Sequence, residues 1–192
     1  YHKDITSPES SWWDNYVSLN LPDASASFAT FVSEPTSTSF ELLGNNRGTT
    51  NEGNENYVAY LFADTPGKIK CGSYLADGTE TPINCGFEAG WVLVKSSTGT
   101  SGPNQWSIVD NKRSKFHSSD GTTGPAQLCA DIAEGEDGSS LNTANALIRF
   151  EPTGFVVLNG NNVTNTPGET YIYVAIAADV TAGGFGATGT LL

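Results

Sequence analysis

Two stretches of seven residues, Tyr57-Val58-Ala59-Tyr60-Leu61-Phe62-Ala63 and Tyr171-Ile172-Tyr173-Val174-Ala175-Ile176-Ala177, are apolar at every position. A strand with one wet face would alternate apolar with polar, so each stretch is expected to be a strand covered on both faces. Shorter runs of the same kind appear at Trp91-Val92-Leu93-Val94-Lys95, Trp106-Ser107-Ile108-Val109, Ala146-Leu147-Ile148-Arg149-Phe150 and Phe155-Val156-Val157-Leu158. Turn signals separate them: Thr65-Pro66-Gly67, Asp77-Gly78, Gly102-Pro103-Asn104, Pro152-Thr153-Gly154 and Pro167-Gly168. Many short strands punctuated in this way point to an all-β chain, an antiparallel β-sandwich of jelly-roll type with long loops. The only helix candidate is the short stretch 127–133.

Composition agrees and removes several functions. Charged residues are only 16% of the chain, so solubility falls to Ser, Thr, Asn and Gly, which suit turns better than charged helix faces. The net charge is −12 at pH 7. No basic patch is left to displace counterions from a phosphate backbone, and an anionic membrane surface would repel the chain. No apolar stretch approaches the ~18 residues needed to span a bilayer as a helix.

The chain also repeats itself. Phe40-Glu41-Leu42-Leu43-Gly44-Asn45-Asn46 leads to the first Tyr-rich run, and Phe155-Val156-Val157-Leu158-Asn159-Gly160-Asn161-Asn162 leads to the second, about 115 residues later. Residues 1–64 are therefore expected to form a partial first β-module and 65–179 a complete second one. Residues 180–192 would be a Gly-rich joint to a following segment. Each Tyr-rich run is expected to be the second strand of an antiparallel hairpin, joined through the Asn-rich stretches 44–54 and 159–168. Alternation puts Val58, Tyr60 and Phe62 on one face and Tyr57, Ala59 and Leu61 on the other. Likewise Ile172, Val174 and Ile176 should oppose Tyr171, Tyr173 and Ala175. The chain contains no Met, and together with the repeat this favours a piece of a longer repeat protein.

Candidate chemistry is sparse. Cys71 and Cys85 stand symmetrically about Gly78; if a turn there closes a hairpin, their sulfurs face each other. Two reduced small hydrophobes is the favoured reading and a cross-strand disulfide the alternative. Asp131, Glu134, Glu136 and Asp137 crowd one loop. They are read as a solvated acidic loop, with a Ca²⁺ site the weaker alternative because the EF-hand order is absent. Glycoside hydrolysis needs carboxylates on facing walls of a cleft, which a single loop does not supply. Two histidines and no nucleophile elbow give no reason to draw a hydrolytic triad. No catalytic residue and no cofactor is assigned. Trp12, Trp13 and Tyr16 lie in a polar stretch and could form a glycan-stacking platform, though burial against a neighbouring subunit is favoured.

The order of short motifs carries a resemblance. The run beginning at Tyr57 is followed by Lys70-Cys71-Gly72-Ser73-Tyr74, Gly86-Phe87-Glu88-Ala89-Gly90-Trp91, Trp106-Ser107-Ile108-Val109-Asp110 with Arg113, Gly154-Phe155 and the run beginning at Tyr171. This resembles the β-domain that recurs, often in tandem, in tail-fibre and other virion structural proteins of marine tailed phages. The resemblance covers most of residues 40–179. It implies a non-enzymatic structural protein at the virion surface, assembled from identical subunits (a trimer favoured) with other virion proteins, and in a distal position binding a host-surface glycan. The alternatives are a fragment of a polysaccharide-degrading tailspike and a bacterial extracellular adhesin or filament subunit.

Overall fold

The structure is a computed structural model that describes residues 2–5, 12–27, 32–43, 51–99, 104–113, 115–117, 123–133, 147–159 and 161–178. Among these residues the chain is all-β and antiparallel, with one 3₁₀ turn at Trp12–Asp14 and no α-helix. Two short N-terminal strands, β1 (Asn15–Tyr16) and β2 (Ala26–Ser27), pair with each other. Then come β3 (Ile69–Leu75), β4 (Thr81–Asn84), β5 (Ala89–Ser96) and β6 (Ser107–Asp110). A small pair, β7 (Lys115–His117) and β8 (Thr123–Pro125), precedes β9 (Gln127–Cys129). The last three are β10 (Ile148–Glu151), β11 (Gly154–Val157) and β12 (Thr170–Ala177).

Five strands form one sheet in the order β3-β12-β5-β6-β9, and three form another in the order β10-β11-β4. The two sheets enclose one core, which makes the fold sandwich-like. From the larger sheet, Tyr74, Tyr171, Tyr173, Ala175, Val92, Val94 and Val109 point inward; from the smaller, Ile148, Phe155 and Val157 meet them. Tyr74 and Tyr171 stack with ring centroids 5.2 Å apart, and Phe155 meets Tyr173 edge-on at 5.4 Å. Such aromatic pairs contribute beyond the area they bury. The alternation expected for β12 holds: Tyr171, Tyr173 and Ala175 share the core face, and Ile172 sits in a separate cluster on the opposite face.

That opposite face is covered by the N-terminal segment. Ile5, Trp106 and Ile172 are buried together with Val17 and Leu93 packed against them. Polar contacts fasten the layer: the Trp106 indole N–H donates to Ser18 O at 2.8 Å and the Ser25 N–H to Ser97 O at 2.8 Å.

Four sequence expectations are corrected. Residues 127–133 contain no helix; Gln127–Cys129 is β9, because β6 needs an edge partner and supplies its ladder. Residues 57–63 form no strand and are exposed along their whole length rather than covered on both faces. The turn at Gly78 does not close a hairpin, since β3 and β4 belong to different sheets. Here the Gly78 N–H donates to Asn165 Oδ1 at 3.2 Å and Asn165 Nδ2 donates to Thr79 O at 2.7 Å, so a side-chain amide turns the chain from one sheet to the other. Nor do the two repeat units form equivalent hairpins. β11 and β12 lie in different sheets, and the Asn-rich stretch between them is a crossover. Asn161 pins that crossover by accepting from Thr164 N–H at 2.8 Å and donating to Leu158 O at 2.7 Å. In the first unit no strand pair forms among the described residues; Leu42 instead bridges to Val32, upstream of the unit.

Candidate functional site

β3 forms one edge of the five-stranded sheet, and its backbone orientation can be read from its contacts. Ala177 N–H donates to Lys68 O and Ala76 N–H to Glu169 O, so even-numbered residues face β12. The odd-numbered ones face outward: Ile69 exchanges hydrogen bonds with Thr65 at 2.9 and 3.0 Å across the loop 66–68. Gly67 adopts φ 73° in that loop, a conformation an L side chain rarely takes. The next outward group, Cys71 N–H, donates to Asp64 Oδ1 at 2.7 Å, and Lys70 Nζ donates to Asp64 Oδ2 at 2.7 Å. Burial alone would raise the Asp64 carboxyl. The bonds from Lys70 and Cys71 outweigh that and hold it below its ordinary value. Beyond this hook, the outward N–H and C=O groups of Ser73 and Leu75 take no partner among the described residues.

Immediately upstream of Asp64 runs the exposed apolar segment 57–63. Val58 is 79% exposed, Tyr60 83% and Leu61 75%, with Tyr57 and Phe62 about half exposed. The Tyr57 hydroxyl accepts from Glu52 N–H at 3.0 Å. A run of large apolar side chains in water beside an open strand edge is the surface feature soluble proteins most often suppress. Keeping both together marks this corner of the molecule as the candidate interaction site.

The other sequence candidates are placed as follows. Trp12–Asp14 form the 3₁₀ turn, and Trp13 and Tyr16 are half-buried rather than laid open as a platform. Asp131 is half-buried; its Oδ1 accepts from Trp106 N–H at 3.2 Å, and burial raises its carboxyl. Glu134, Glu136 and Asp137 lie outside the described residues, and no metal-holding cluster occurs among the described ones. Cys71 and Cys85 are free thiols, both buried, and burial pushes the Cys85 thiol up to about 11. A thiol so disfavoured as thiolate is packing rather than a nucleophile.

Sequence reasoning missed two features. Lys95 is fully buried on the N-terminal side of the sheet, where its ammonium donates to Pro22 O at 2.8 Å and Asn104 O at 2.6 Å. Burial pulls it down to about 8 against the favourable fields of Asp131, Asp23 and Glu169. Its odd-numbered alternation with Trp91 and Leu93 was the available signal, but nothing local shows that this face is covered. The second is a polar end of the core, where Gln105 Oε1, Ser107 Oγ and both amide atoms of Gln127 are buried without hydrogen-bond partners among the described residues.

The pattern of one protein family, DUF7483, described as a domain of unknown function, matches residues 1–179. The chain belongs to this family. The DUF7483 match takes in the N-terminal layer, the exposed segment and both sheets. No curated protein and no solved structure matches the chain significantly. No helix among the described residues is long and apolar enough to cross a membrane.

Proposed function

We propose that this DUF7483 chain is a virion structural protein, a tail-fibre or appendage subunit that works by self-assembly and presents loops at the particle surface. One observation carries the assembly half of this reading. An apolar, strand-patterned segment stands in water next to a sheet edge with free backbone groups, and the most economical occupant of each is another subunit. The resemblance of its motif order to phage tail-fibre β-domains supports the virion half. Trp13 and Tyr16, half-buried by the chain itself, speak against an open glycan-stacking platform, and a homotrimer is the proposed state.

Light scattering and electron microscopy of the purified chain test the assembly half, with ordered closed oligomers or fibres expected. Antibody against the chain should label appendages on virus particles from its source. A chain that stays monomeric at micromolar concentration, or labelling confined to cell surfaces, would overturn the proposal.

A further inference from the structure

We infer that residues 57–63 of one copy add as an antiparallel strand to the outward edge of β3 in the next copy, so that subunits are joined by strand donation. The inference deepens the self-assembly reading and rests on it.

Donor and acceptor are both present in the chain. The donor has the composition of β12, a strand that is hydrogen-bonded on both edges in this molecule. The acceptor offers the outward N–H and C=O groups of Ser73 and Leu75. Leu75 is 66% exposed, so the side-chain track beside those groups is open as well.

Geometry favours a second copy over the chain's own segment. The Thr65–Ile69 pair starts an antiparallel register which, continued, would place Ala63 opposite Cys71 and Leu61 opposite Ser73. Continuation stops at the first step, because Asp64 Oδ1 already holds the Cys71 N–H that Ala63 would need. The segment therefore diverges from its own edge after one pair, leaving Ser73 and Leu75 open to a strand from elsewhere. In the same antiparallel sense, a donated strand sets Leu61 opposite Ser73 on the outer face. Tyr60 then meets Tyr74 at the margin of the core.

The area is substantial. Taking ~200 Å² for each aromatic side chain and somewhat less for Val and Leu, the exposed fractions leave about 600 Å² on the donor. That is a large part of the ~800 Å² that one partner contributes to a specific interface of standard size. Donor and acceptor are different surfaces, so the contact is head-to-tail and closes into a ring if the rotation permits.

Two half-defective variants of the full chain provide the test. Leu61→Lys spoils the donor and leaves the edge intact; Ser73→Pro removes an outward donor N–H and leaves the ladder to β12 intact. Leu75→Lys, an exposed substitution on the same edge, replaces Ser73→Pro if that variant melts early. Light scattering should give oligomers for the unaltered chain, single-chain mass for each variant alone, and a one-to-one pair when Leu61→Lys and an edge variant are mixed. Association of either variant as strong as that of the unaltered chain would overturn strand donation while leaving self-assembly through another face intact. So would failure of the mixture to pair. A monomeric unaltered chain would overturn both.

Discussion

Residues 57–63 and β12 have nearly the same sequence pattern and opposite fates. Tyr171 is fully buried, whereas Tyr57, its counterpart at the head of the first run, is 45% exposed. β12 has β3 on one edge, β5 on the other, the small sheet over one face and Ile5 near the other. The first run has a hook at its end and no neighbour along its edges among the described residues. Burial of a strand is thus a property of what surrounds it. An all-apolar run states that both faces need covering; it does not state by which segment, or from which chain.

The largest effect should come from truncating the two equivalent tyrosines. Tyr171→Ala removes a stacked ring and leaves a cavity, and should cost about 3–5 kcal/mol of unfolding free energy. Tyr57→Ala should change the dilute protein by no more than about 1 kcal/mol. Denaturant melts of the two variants check this, and equal costs would break the comparison.

A smaller effect should appear with pH. Burial, the largest influence, pushes the Tyr171 hydroxyl up to about 12 and outweighs its hydrogen bond from Thr166 N–H. The unfolded chain loses that proton near pH ~10, so the unfolded state binds fewer protons in between. Stability from this group is whole below ~10 and falls as pH rises through about 12, by on the order of 2 kcal/mol. Denaturant melts across this range should show the decline, and Tyr171→Phe should flatten it. An unchanged slope in that variant would place the alkaline sensitivity elsewhere.

The smallest effect concerns the hook. Asp64 and Lys70 are both partly exposed, so Asp64→Asn should cost the monomer less than about 1 kcal/mol in thermal or denaturant unfolding. A much larger loss would mean that the hook holds the edge of the sheet together, not merely the segment's departure from it.

Much of the sandwich was legible in the chain. β5, β6, β10, β11 and β12 each coincide with an apolar run that has Gly, Pro or Asn close to one end, and the two faces of β12 follow from alternation alone. What escaped depended on partners distant in sequence. β9 is three residues long and exists because β6 offers an edge. β4 contains Pro82, a poor strand signal, and is held by pairing with β11. The turn at Gly78 looked like a hairpin because the amide of Asn165, which redirects it, lies far along the chain. The candidate site was half legible: the run 57–63 was singled out, but as a buried strand. Only Asp64, an ordinary acidic residue in sequence, explains why it leaves its own sheet.

Hydrogen exchange followed by mass spectrometry at low and high protein concentration tests the central claim most directly, because it reads backbone pairing segment by segment. In dilute solution the amides of residues 57–63 should exchange quickly and those of β12 slowly. On concentration, the amides of 57–63 and the outward amides of Ser73 and Leu75 should become protected together, while β12 stays as it was. Protection of 57–63 already present in the dilute monomer, or its absence at every concentration, would contradict the account.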